Sequence, residues 1–182
     1  MAEQNAEIGT RLFKRSDVKG NWKFEVSGSL KELLEKKPEF VIISILPGTF
    51  DHMASDVHLP EKYGIYQSVG DTAGPGGLVR ALRTIPMFVE IAEAIKEYCP
   101  ETLVINYTNP MTLCVKTLYR VFPQIKAFGC CHEVFGTQKI LRDMYQLDAK
   151  YPGYTKVAAR VIGKDAGNWF STFMIDKGTD DG

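Results

Sequence analysis

The sequence predicts an α/β domain built on a parallel sheet, and three observations carry that prediction. Short strand-like runs alternate with amphipathic helical stretches along most of the chain. The two strongest runs, EFVIISILPG at 39–48 and ETLVINY at 101–107, both lead into helix-forming sequence, the first after a polar stretch. Strand–helix alternation of this kind gives parallel strands joined by right-handed crossovers. Three polar or glycine-marked junctions, SILPG, NYTNPM and GCCHE, fall where strands end and helices begin, the place where such folds bind ligands.

Taken in order, residues 22–27 (WKFEVS) read as a strand, with Trp22, Phe24 and Val26 alternating against polar neighbours. Residues 29–37 form a short helix that Ser29 can cap, with Leu30, Leu33 and Leu34 on one face. The β-branched run at 39–48 ends in Pro-Gly and reads as a strand buried on both faces. Residues 51–64 (DHMASDVHLPEKYG) hold two histidines and two aspartates and read as a loop, lining the crevice or forming ordinary surface. SVGDTAGPGG at 68–77 is either a linker or an anion cradle at the start of the next helix. That helix carries Leu78, Leu82, Ile85, Val89, Ala92 and Ile95 at spacings of three and four, and Pro86 is expected to kink or divide it.

Residues 101–107 are a second buried strand, and 108–122 a helix with Asn109 as N-cap and Pro110 at its first position. Asn106, at the end of a buried strand, has less structural reason to be there and is a candidate to face a ligand. Residues 125–130 form a third strand and 133–147 a third helix. Residues 156–178 then turn to strand, turn, strand.

Composition narrows the function. Lys+Arg and Asp+Glu both number 22 in 182 residues, so no excess of positive charge favours nucleic acid. No apolar run reaches membrane-spanning length, and the first ten residues lack a signal-peptide pattern. Four cysteines, two of them adjacent, fit a reduced, cytoplasmic setting better than a disulfide scaffold. At CCHE the spacing argues against a C-x-x-C redox pair and a four-ligand structural zinc site. A catalytic thiol, an open transition-metal site using a thiolate and an imidazole, and plain packing all remain consistent with it.

Together, SILPGTFDHMASDVHLPEKYGIYQSVGDTAGPGGLVRALRTIP, CPETLVINYTNPM and IKAFGCCHEVFG resemble the family 4 glycoside hydrolases, and within them the α-galacturonidase branch. These are NAD- and metal-dependent glycosidases with a dehydrogenase-like first domain, an exception to the two-carboxylate scheme of most glycosidases. The resemblance implies a partial Rossmann-like parallel sheet with flanking helices, followed by the start of a β-rich C-terminal region. Residues 1–150 would be the NAD-binding domain without its first β-α-β unit, and 151–182 the beginning of the substrate domain. It implies Cys131 as a ligand of Mn2+ or another divalent metal, and His132 as acid to the leaving group. Asn109 would bind substrate, and Ile45, Leu46, Gly48 and Asn106 would contact NAD. The family is expected to be homo-oligomeric and to act on a small-molecule glycoside, with no nucleic-acid or membrane partner.

Three departures accompany the resemblance. The glycine-rich dinucleotide loop would precede Met1. The metal-binding histidine of the family's G-x-N-H-x-x-W is replaced in GKDAGNW by Ala166, with Asp165 before it. The catalytic tyrosine would lie beyond Gly182. An inactive remnant with weak sugar binding or a dimer surface, and a hydroxy-acid dehydrogenase of related fold, are the alternative readings.

Overall fold

The computed structural model describes residues 2–67 and 72–131, positions 136, 139–140 and 143–144, and the backbone of 156–162 and 169–176. Three parallel strands, β1 (Phe40–Ile43), β2 (Leu103–Asn106) and β3 (Lys126–Gly129), pair in the order β1-β2-β3. Their register aligns Ile43, Asn106 and Gly129 in the last row of the sheet. All three chain exits therefore leave the same edge side by side.

The helices α2 (Leu30–Glu35), α4 (Gly74–Tyr98) and α5 (Met111–Val121) contribute to one core with the sheet. Leu34, Ile43, Phe88, Ala92, Ile95, Val104, Cys114 and Leu118 form its centre. Ser29 caps α2 as its sequence predicts, accepting a hydrogen bond from the Glu32 amide. Burial on both sheet faces does not hold. Phe40 and Ile42, the outward residues of β1, are 57% and 64% exposed, as helices cover only the Val41/Ile43 side.

Other expectations are also corrected. Residues 22–27 form no strand, because they have no backbone partner among the described residues. Their aromatic side chains pack instead on Phe13, which lies 5.0 Å from Trp22 and 5.2 Å from Phe24 between ring centroids. Phe13 follows a helix not foreseen, α1 (Ala2–Leu12). The expected loop at 51–64 contains α3 (Phe50–His58) and a 3-10 turn (Pro60–Tyr63). Thr49 starts α3 with a capping box, exchanging hydrogen bonds with His52.

Pro86 does not divide α4, which runs unbroken for 25 residues. Two residues earlier, the Thr84 hydroxyl donates to the Arg80 carbonyl at 2.9 Å. The buried stripe of α4 also differs at its N-terminal half, where Gly76, Gly77, Arg80, Ala81 and Thr84 face inward while Leu78 and Leu82 are 63% and 65% exposed. Small residues there let the helix approach the chain closely, and a Cβ added at Gly77 would come 2.6 Å from the Thr72 carbonyl carbon.

Of the expected helix at 133–147, the described positions 136, 139–140 and 143–144 are helical. Beyond it, β4 (Lys156–Ile162) and β5 (Trp169–Asp176) pair antiparallel, Lys156 opposite Asp176 and Ile162 opposite Trp169.

Candidate active site at the strand exits

Hydrogen bonds lock the three exits to one another. The Tyr107 amide donates to the Ile43 carbonyl at 2.8 Å, and the Cys130 amide donates to the Asn106 carbonyl at 2.9 Å, extending the ladder one residue beyond the sheet. The Ile45 amide donates to Thr108 Oγ1 at 2.9 Å. Asn106, fully buried, closes the turn between β2 and α5: its Nδ2 donates to the Thr108 carbonyl and its Oδ1 accepts from the Thr108 amide, both at 2.9 Å. Asn106 thus has a structural role that its sequence position did not reveal, and its side-chain donor and acceptor are both engaged there.

Asn109 is not the cap of α5. The helix begins one residue later, with Pro110 in the cap position and no side-chain capping bond, and the Asn109–Pro110 peptide is cis. Asn109 stands half-buried at the exit of β2. Ile45 is half-buried, while Leu46 and Gly48 are exposed along the exit of β1. Gly48 turns the chain with φ +96°, a conformation that glycine adopts without a Cβ penalty. A Cβ there would lie 3.3 Å from Arg83 Nε, so the β1 exit sits directly on α4. Arg83 is held in place by Asp56 of α3, through an Nη1–Oδ1 bond of 3.2 Å and a second, shorter Nη2–Oδ2 contact.

Cys130 and Cys131 follow β3, both half-buried and both free thiols. Beside Tyr107, the Cys130 thiol holds that phenol above its usual pKa. Cys99, in the core below, has its thiol pushed upward by burial and belongs to the packing. His132 lies outside the described residues, as do 163–168, which include Asp165 and Ala166. Among the described residues no group of three His, Cys, Asp or Glu side chains is placed to hold a metal. At the β3 exit they supply soft donors only from the adjacent thiols of Cys130 and Cys131, so they fit a thiolate-bound metal in part only.

The other polar candidates are spoken for. His52 is used in the capping box, and His58 Nδ1 lies 3.0 Å from Glu61. Of the suggested anion cradle at 68–77, residues 68–71 lie outside the described residues, and in the rest the Gly76 amide donates to Gln67 Oε1 and the Gly77 amide to the Ala73 carbonyl. A groove of about 620 Å³ opens between residues 37–39 and 97–102, at the start of the strands. Ligands in open parallel sheets bind at the opposite, carboxyl end, so the exits remain the better site.

The family model for family 4 glycosyl hydrolases matches residues 3–147, a span that contains all three exits. The chain belongs to this family. It is 73% identical over 140 residues to an alpha-galacturonidase of Thermoanaerobacterium saccharolyticum, covering 77% of this chain and 30% of that protein. The crystal structure of lplD from Bacillus subtilis matches with a TM-score of 0.77 and 51% identity, over 86% of this chain and 36% of that one. A 6-phospho-alpha-glucosidase from gut microorganisms, solved with NAD and Mn2+, matches with a TM-score of 0.76 at 20% identity, over 95% and 37% of the two chains. At that identity the likeness is one of fold. The family 4 chain therefore spans about a third of the length of the relatives it matches. The sheet with its flanking helices is the Rossmann-like fold that the resemblance implied.

One residue of this family 4 chain escaped the sequence reading. Arg80 is 5% exposed on the inward face of α4. Its position four residues before Thr84 and eight before Phe88 was the available signal, since that spacing puts a cation on the buried stripe.

Proposed function

We propose that this chain carries the strand-exit portion of an NAD- and divalent-metal-dependent glycosidase acting on α-galacturonides. The observation that carries the reading is the 73% identity to an alpha-galacturonidase. The joined exits of β1, β2 and β3 support it, because they gather the expected contact residues at one sheet edge.

Each residue has a definite task in this proposal. Ile45, Leu46 and Gly48 form the wall against which NAD lies, with Gly48 letting that wall pack on Arg83 of α4 without a Cβ. Asn106 acts through the turn that it closes, fixing the path of residues 107–109. Asn109 holds a sugar hydroxyl with its carboxamide, and Cys131 offers its thiolate to the metal. His132 gives its proton to the departing oxygen. When bound, NAD+ would supply reversible hydride acceptance at the sugar C3 and the metal Lewis-acid polarisation of the C3 oxygen, the chemistry that would acidify the C2 proton and let the aglycone leave by elimination. Residues 1–150 form the nucleotide-binding domain and 151–182 open the substrate domain. The protein works in the cytoplasm as a homo-oligomer.

A chimera tests this directly. This chain's residues replace the aligned 140 residues of the Thermoanaerobacterium saccharolyticum enzyme, and nitrophenolate release from 4-nitrophenyl α-galacturonide is followed with NAD+ and Mn2+. Activity within about tenfold of the parent is expected, a barrier change of about 1.4 kcal/mol. A folded chimera that cleaves no galacturonide contradicts the proposal.

A further inference from the structure

No described carboxylate answers the charge of Arg80. The side chain is 5% exposed, and its Nε and Nη1 are sealed from solvent and bonded to nothing among the described residues. The contrast with Arg83, one turn on, is direct: Asp56 pairs with Arg83, and no described carboxylate does so for Arg80. A guanidinium keeps its proton at any pH a folded protein tolerates. Buried arginines are therefore nearly always paired, and an unpaired one signals an anion that binds there.

Its place in the fold points to which anion. α4 leads into β2, so its C-terminal end lies by the start of the strands and its N-terminal half runs towards the exits, where Arg83 meets Gly48. Arg80 lies eight residues before Phe88, about 12 Å further along the axis in that direction. Arg83 beside it already touches the β1 exit at Gly48. Arg80 thus lies towards the end of α4 that meets the strand exits, the end of the sheet that also carries Asn109 and Cys131.

We propose that Arg80 recognises the carboxylate of the sugar, receiving it on its N–H donors. The inference rests on the galacturonide reading above and names the group that makes it specific. A galacturonide differs from a galactoside by having a carboxylate in place of the C6 hydroxymethyl. The planar guanidinium matches a carboxylate with two parallel hydrogen bonds. A neutral hydroxymethyl group leaves the buried charge unpaired, which is a strong basis for rejecting the uncharged sugar.

Thermal unfolding of the 182-residue chain tests it, with D-galacturonate and D-galactose as probes and with Arg80→Met and Arg80→Lys as variants. Galacturonate is expected to raise the wild-type Tm by on the order of several degrees at saturation, and galactose to raise it much less. Arg80→Met is expected to unfold at or above the wild-type temperature without ligand, since an unpaired buried charge has gone, and to lose the galacturonate shift. Arg80→Lys should retain only part of the shift. A galacturonate shift that survives in Arg80→Met overturns the proposal. So does an Arg80→Met Tm well below wild type, which would mean that a carboxylate of the chain already pairs with Arg80. Equal wild-type shifts from both sugars, unchanged in Arg80→Met, would keep a sugar site and remove Arg80 from it. No shift from either sugar would remove the galacturonide reading and Arg80's role together.

Discussion

Phe88→Ala is expected to destabilise the chain by about 3–5 kcal/mol, the range for emptying a large buried aromatic site. Phe88 has no exposed surface and packs in one cluster with Ile43, Val104 and Leu118, so its ring joins α4, the sheet and α5. Small domains hold only about 5–15 kcal/mol in total, so the variant keeps little margin at physiological temperature. Urea denaturation checks the value through the shift in midpoint at constant slope. A loss under about 1 kcal/mol would mean that the inner face of α4 collapses around the cavity, and that the core is less tightly built than described.

Asn106→Ala is the second large effect. Both polar ends of Asn106 bond to the main chain of Thr108, which is 3% exposed. The substitution leaves a buried amide and a buried carbonyl without those partners, at about 1–3 kcal/mol each. The expected total is about 2–5 kcal/mol. The same variant separates two roles for this residue. If Asn106 acts through the turn, stability falls and Asn106→Asp recovers part of it, because a carboxylate still accepts from the Thr108 amide. If it contacts NAD alone, stability stays within about 0.5 kcal/mol of wild type.

These two residues also mark what the sequence disclosed. The strands were legible because FVII, LVIN and KAFG are short apolar or small-residue runs, each followed by a turn and a helix. Their common register is not written in any one of them; it comes from the ladder that aligns Ile43, Asn106 and Gly129. The apolar spacing through Leu78, Leu82 and Ile85 does not mark Phe88 as core, because that arc of α4 is only partly turned inward. Hydrophobicity misled there because the real inner face begins with glycines, an arginine and a threonine, chosen for close approach and charge rather than oiliness. In Thr49-x-x-His52 the sequence held the capping box of α3, hidden because histidine is an unusual partner at the third helical position. Asn106 drew attention as a polar residue at a strand end, but whether its carboxamide turns to its own chain or to a ligand depends on the backbone path of 107–109. At the site, the paired thiols were conspicuous while their different surroundings were not. Only the fold shows Cys130 against Tyr107, with Cys131 one residue further out.

That difference between adjacent cysteines is the sharpest handle on the central claim, a metal-dependent site at the strand exits. Cobalt(II) substitutes for manganese and reports thiolate ligation by a sulfur-to-metal absorption band, so it is titrated into the wild-type chain, Cys131→Ser and Cys130→Ser. The account predicts the band in wild type and in Cys130→Ser, and its loss in Cys131→Ser with affinity about tenfold or more weaker. A band equally reduced in both variants, or absent from wild type, would contradict it.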